Sequence, residues 1–120
     1  MGAAVTHFEV HGKDGDTLKK FYADLFDWHV DSNNPMEYGM VDTHAGNGIN
    51  GGITKDMNGA AFVTIYVEVD DLQAALDKAE SLGGKTVLPV TTIPDTVTLA
   101  LFADPEGHVV GLVARETQAS

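Results

Sequence analysis

Val5-Thr6-His7-Phe8-Glu9-Val10 near the start of the chain and Phe62-Val63-Thr64-Ile65-Tyr66-Val67-Glu68-Val69 at its middle open two versions of one plan. In each, a strand with alternating side chains runs to an aspartate turn, a short helix and a return through further strands. Laying Asp14 on Asp71 gives an offset of 57 residues. That offset sets His7 over Thr64, Glu9 over Tyr66 and His11 over Glu68. A duplicated strand–helix–strands unit predicts one curved sheet with a central hollow, and matched positions reveal which side chains are available for chemistry there.

In the first copy, Phe8 and Val10 take one face of a strand and His7, Glu9 and His11 the other. Asp14 or Asp16 is the expected cap of a helix whose apolar stripe is Leu18, Phe21, Tyr22, Leu25 and Phe26. Strands are then expected from Asp27 to Val30, from Met36 to Val41 and from Ile49 to Thr54, with residues 56–60 as the linker. In the second copy, Ile65, Val67 and Val69 form the expected apolar face, with Thr64, Tyr66 and Glu68 opposite. Asp70 or Asp71 caps a helix striped by Leu72, Ala75, Leu76 and Ala79, which Gly83-Gly84 ends. Strands follow over Thr86–Val90, broken by Pro89, over Thr96–Ala103, and from His108 to Ala114 after the turn residues Asp104-Pro105-Glu106-Gly107. The tail from Arg115 on reads as polar and frayed.

A chain of 120 residues is one domain whose halves must share a core. Its 7 basic against 18 acidic residues leave a net charge of −11, which argues against nucleic acid and anionic membranes as partners. No apolar run approaches the roughly 18–20 residues of a membrane span, and no secretory leader is evident. The absence of cysteine excludes disulfides, thiolate metal sites and thiol nucleophiles. A cytoplasmic location is expected by default. The sequence has no Gly-x-Ser-x-Gly elbow and no phosphate-cradling loop. Gly46-Asn47-Gly48-Ile49-Asn50-Gly51 leads into a strand, so it is not a dinucleotide motif.

The order and spacing of several segments resemble the vicinal oxygen chelate superfamily of glyoxalases, bleomycin-resistance proteins and extradiol dioxygenases. These segments are His7-Phe8-Glu9-Val10, Lys20-Phe21-Tyr22-Ala23-Asp24-Leu25-Phe26-Asp27-Trp28, Val67-Glu68-Val69-Asp70-Asp71-Leu72, Leu82-Gly83-Gly84 and Asp104-Pro105-Glu106-Gly107-His108. The resemblance covers roughly residues 5 to 114. It implies an α+β fold of two βαβββ modules (about 4–54 and 61–115) forming one cup-shaped mixed sheet with helices outside. It also implies a cup that often holds a divalent metal on His or Gln of each first strand and Glu of each last strand. Carried over residue by residue, those positions are His7, Thr64, Gly51 or Gly52, and Gly111. Only His7 supplies a strong donor, since glycine has no side-chain donor and a lone hydroxyl ligates transition metals poorly. The usual metal site therefore reads as lost.

A replacement site on one strand is geometrically poor. Residues two apart on a strand are separated by about 6.6 Å and residues four apart by about 13 Å. His7 and Glu9 can share an ion, but His7 and His11 scarcely can.

The polar faces are read either as an ordinary solvated sheet surface or as a binding floor of His7, Glu9, His11, Thr64, Tyr66 and Glu68, with Glu9 or a histidine as the acid–base group. Trp28 is read as a packing residue or as a stacking wall for a flat ligand. Met36, Tyr38 and Met40 alternate, so they line the cup or pack ordinarily. His29, His44 and His108 need no function. The expected function is binding of a small, partly apolar or aromatic molecule in the cup, with no cofactor. One alternative is a metal-dependent glyoxalase-like lyase, isomerase or dioxygenase using Zn, Ni, Mn or Fe. Another is a metal-free acid–base enzyme using Glu9 and His11. The sequence leaves monomer and homodimer both open.

Overall fold

The computed structural model describes residues 2–94 and 96–115. The alternating opening stretch becomes β1, Val5–Gly12, and α1 follows over Gly15–Phe26. Asp14 is the cap. Its extended backbone leaves the carboxylate facing the helix, where it accepts from the Thr17 amide at 3.1 Å. Asp27 ends the helix in the left-handed region (φ 58°), so β2 starts only at His29 and runs to Asp31. β3 is Gly39–Asp42 and β4 is Gly51–Lys55. The expected strand from Met36 is thus shorter. Pro35 and Met36 form a turn and Glu37 lies at φ 53°, which breaks an extended run. Met36 and Tyr38 consequently lie outside β3, and of the three only Met40 is a strand residue.

β5 spans Phe62–Val69, α2 Leu72–Ser81, β6 Lys85–Ile93, β7 Val97–Ala103 and β8 Val109–Ala114. Asp71 caps α2 by accepting from the Ala74 amide at 3.0 Å. β6 runs through Pro89 where a break was expected. It is the terminal strand of its sheet, and register shifts on either side of Leu88 accommodate the proline's missing donor. The expected tail lies, from residue 116 on, outside the described residues.

The chain divides into two compact units. One is Thr6–Thr64; the other runs from Ile65 onward and includes the N-terminal residues through Val5. The first has strand order β2-β3-β4-β1, with β1 parallel to β4 and the other neighbours antiparallel. The second repeats it as β6-β7-β8-β5, with β5 parallel to β8. Each is therefore a βαβββ module with its own core. Val10, Val41 and Ile53 centre the first core, flanked by Phe8, Leu18, Tyr22 and Trp28. Leu72, Leu76, Ala100 and Leu112 centre the second. A fully buried leucine such as Leu76 contributes about 1.5–3 kcal/mol by transfer alone.

Two face assignments differ from the sequence pattern. Phe21, Leu25 and Phe26 remain more than half exposed, because the sheet face under α1 takes only Leu18 and Tyr22 from the stripe. In β5, Val67 and Val69 pack against the second core as expected, but Ile65 is 40% exposed while Thr64 and Tyr66 on the polar face are 6% and 8% exposed.

Candidate functional site

Registers within the Thr6–Thr64 unit decide what faces what. Phe8 pairs with Gly51, and Gly51 with Val41; these lie on the helix side with the core. Glu9 pairs with Gly52, Gly52 with Met40, and Met40 with Asp31, which puts these four on the opposite face. His7 and His11, two residues either side of Glu9, share that face.

A hydrogen-bonded chain crosses it. His7 Nε2 lies 2.8 Å from the Tyr38 hydroxyl, and that hydroxyl donates to Glu9 Oε2 at 2.7 Å. Because the phenolic proton goes to Glu9, His7 Nε2 is the donor to the tyrosine oxygen. Glu9 Oε1 accepts from His11 Nε2, and His11 Nδ1 lies 3.3 Å from Asp56 Oδ1. An imidazole with a carboxylate at each nitrogen satisfies both only as the imidazolium.

The positions of Tyr38 and Asp56 are fixed locally. The Asn34 side chain grips the backbone of Tyr38 from both sides, donating to its carbonyl at 2.7 Å and accepting from its amide at 2.9 Å. Asp56 follows β4 directly, and its amide bonds the Gly12 carbonyl at 2.9 Å. Its carboxylate accepts from the amides of Asn58 (3.0 Å) and Ala60 (2.9 Å), an Asx-type turn. The Phe62 ring stacks on His11, with centroids 4.2 Å apart.

Electrostatics separates the two histidines. Burial pushes the His7 imidazole below its ordinary range, against the pull of the Glu9 charge. Burial also opposes the charge on His11, but the hydrogen bonds and charges of Glu9 and Asp56 outweigh it and raise that imidazole. Asp56 is held below the usual carboxylate range by the Ala60 amide, then by the Asn58 amide and His11, against partial desolvation.

Beside this chain lies an open cleft of about 350 Å³. Its lining includes His7, His29, Asp31, Met40, Asp42 and Asn50. His7 alone belongs to both cleft lining and network, so it is the network's contact with the cleft. Tyr38, Glu9 and His11 stand behind it in that order.

Of the residues singled out in the sequence, His7, Glu9, His11 and Tyr38 come together. Trp28 does not join them: it stacks on Tyr22 (5.8 Å) and packs against Phe8 (5.4 Å) and Phe26 (4.9 Å), on the helix side. This corrects the stacking-wall reading. Thr64 is buried. Tyr66 and Glu68 belong to the second unit, where Tyr66 pairs with Gly111 and Glu68 lies 3.9 Å from the Arg115 guanidinium. Sequence reasoning missed Asp56, Asn34 and the cleft residues Asp31, Asp42 and Asn50. Asp56-Met57-Asn58-Gly59 carries a turn signal, but its pairing with His11 follows from the parallel β1–β4 register, which no local pattern encodes.

The donor set does not fit the metal that the resemblance implies. Gly52 and Gly111 offer no side-chain atom. An added β-carbon would meet the Tyr38 hydroxyl at 1.7 Å in the first case and the Tyr66 ring at 2.3 Å in the second. Among the described residues, no group of three or more His, Asp or Glu is placed to hold an ion. No helix among them is long and apolar enough to cross a membrane.

Comparisons with known proteins agree with this architecture. The family model of the Glyoxalase/Bleomycin resistance protein/Dioxygenase superfamily matches residues 4–112. Proteins of Mycobacterium bovis and Mycobacterium tuberculosis named "Putative glyoxylase CFP32" are 31% identical over 116 residues, covering 82% of this chain. The chain spans 41% of their length. Among solved structures, methylmalonyl-CoA epimerase from Mycobacterium tuberculosis is similar at a TM-score of 0.67 and 15% identity, over 95% of this chain and 89% of that one. A superfamily member from Vibrio splendidus is similar at a TM-score of 0.64 and 15% identity, over 95% and 100%. At such identities the structures speak for the fold, and the family match covers nearly the whole chain: it belongs to the Glyoxalase/Bleomycin resistance protein/Dioxygenase superfamily.

Proposed function

We propose that this chain binds a small molecule, without a metal, on the polar face of its Thr6–Thr64 unit. The ligand seats in the cleft beside His7, and the His7–Tyr38–Glu9–His11 chain forms its hydrogen-bonding floor. One observation carries the reading: the polar side chains of β1 are tied into a continuous network that reaches a cleft only through His7. The lining has two carboxylates, two imidazoles, an amide and a thioether, and no Lys or Arg. It suits a neutral or cationic ligand with apolar surface. The anionic phosphates of a CoA thioester suit it poorly.

A thermal-shift screen tests this, since a ligand held by the native state at a hundred times its dissociation constant stabilises it by about 2.7 kcal/mol. Aromatic amines and neutral aromatics are expected to raise the melting temperature, and Asp31→Asn with Asp42→Asn to weaken the amines selectively. Stabilisation by CoA thioesters alone would overturn the ligand class. Near-stoichiometric Zn, Ni, Mn or Fe on protein purified without chelator would overturn the metal-free reading and favour a lyase, isomerase or dioxygenase.

The same network favours a second reading, metal-free acid–base chemistry. A proton taken from a ligand would enter at His7 and pass by Tyr38 towards Glu9, with His11 and Asp56 holding the carboxylate charge. Turnover by this route survives chelator and is lost in Glu9→Gln.

A further inference from the structure

We infer that Asn47 is a modification site: its carboxamide reacts with the Gly48 backbone nitrogen to close a succinimide, which water opens to aspartate or isoaspartate. The site lies on the loop between β3 and β4, away from the polar face of β1, and its chemistry is independent of any ligand in the cleft.

The chain carries three Asn-Gly pairs, at residues 47–48, 50–51 and 58–59. Glycine has no β-carbon to obstruct attack by its own nitrogen, so the sequence marks all three alike. The reaction balances with the chain and one water. The glycine nitrogen gives up its proton and bonds to the asparagine Cγ. The Cγ–Nδ2 bond breaks, and Nδ2 leaves as ammonia with that proton. Water then adds at one of the two ring carbonyls. One opening leaves an aspartate side chain; the other routes the backbone through it as isoaspartate. The step needs a glycine amide free of hydrogen bonds and a backbone that can bring it to Cγ.

The tertiary structure separates the three pairs. The Asn50 side-chain oxygen accepts from the Thr43 amide at 3.0 Å, and Gly51 is a buried β4 residue between Phe8 and Val41. At the third pair, the Gly59 amide donates to the Asp56 carbonyl at 3.1 Å and the Asn58 amide to the Asp56 carboxylate at 3.0 Å. Asn47 and Gly48 are exposed in a bend. Among the described residues, neither the Gly48 amide nor the Asn47 carboxamide has a hydrogen-bond partner. Gly48 lies at φ 76°, and a β-carbon added there would meet nothing within 4 Å, so the ring can close without displacing a neighbour. The Asn50–Thr43 bond closes the base of the same loop, next to Asp42. Modification at residue 47 therefore adds a negative charge at the tip and leaves the cleft residues Asp42 and Asn50 pinned.

Ageing the whole chain in warm buffer at pH 8 in ¹⁸O-labelled water, followed by peptide mapping with electron-transfer fragmentation, tests this. In the folded chain, labelled aspartate and isoaspartate are expected at residue 47 about tenfold faster than at Asn50 or Asn58, roughly the cost of releasing one hydrogen bond. In concentrated urea the three rates should converge, because the bonds that protect two of them are gone. Anion exchange should resolve a more acidic species with unchanged circular dichroism, and Asn47→Gln should abolish the first such species to form. Faster labelling at Asn50 or Asn58 in the folded chain would overturn the assignment. So would the same spread of rates in urea as in buffer, or an acidic species that forms undiminished in Asn47→Gln.

Discussion

Tyr66 stands opposite Gly111 in the parallel β5–β8 register, and its ring lies over that glycine so closely that a β-carbon would come within 2.3 Å of it. The obstacle is ring carbon on a side chain only 8% exposed, which cannot swing aside freely. Gly111→Ala is therefore expected to cost about 1–3 kcal/mol through overpacking. Urea denaturation measures it. In a Tyr66→Leu background the cost should shrink, and a double-mutant cycle reports the coupling. Simple additivity would show that the ring is not what excludes the methyl.

His11 and His7 should titrate on opposite sides of the ordinary imidazole value of about 6.5. Ring-proton NMR is expected to find His11 above it and His7 below it, and Asp56→Asn should bring His11 down towards it. The sign for stability follows. A basic group raised in the folded state stabilises fully below its unfolded value, and that contribution fades as pH rises through the folded one. The stability lost in His11→Gln should thus be larger at pH 5.5 than at pH 9. A pH-independent loss would mean that the imidazole acts through packing alone.

Leu76, on α2, is 1% exposed and clusters with the second unit's core residues Ala100 and Leu112. Leu76→Ala is expected to cost about 2–5 kcal/mol, the transfer loss plus a cavity. Leu82→Ala, at a residue 70% exposed, should stay within about 0.5 kcal/mol. Chemical denaturation of the two variants separates a packed helix face from an exposed end.

Asn34 makes no contact with the cleft, yet its amide holds Tyr38 at both backbone groups. Asn34→Ala is expected to cost about 1–2 kcal/mol for two hydrogen bonds and to loosen the Tyr38 ring. Fluorescence anisotropy of a bound aromatic amine should reveal weaker binding at unchanged secondary structure. Unchanged affinity would remove Tyr38 from the ligand's floor.

The duplication was legible because it is written in local chemistry. Alternation in β1 and β5, aspartate caps at Asp14 and Asp71 and the Gly83-Gly84 stop each act through the neighbouring residues alone. Strand limits near Tyr38 were not legible. They depend on the left-handed backbone at Glu37, whose carbonyl Lys19 of α1 binds at 2.6 Å. The exposed flank of α1 was likewise hidden, since a periodic stripe says which residues are apolar but not how wide a face the sheet offers.

By itself the sequence determined the βαβββ plan, its repetition, and the placing of His7, Glu9 and His11 on one strand face, because a period of two follows from backbone geometry alone. Only the tertiary structure decided that Tyr38, Asn34 and Asp56 close on that face, and that glycines 52 and 111 lie beneath tyrosine rings. Those facts arise from registers between strands distant in sequence. A one-residue slip in such a register turns every side chain to the other side, and no local pattern can specify it.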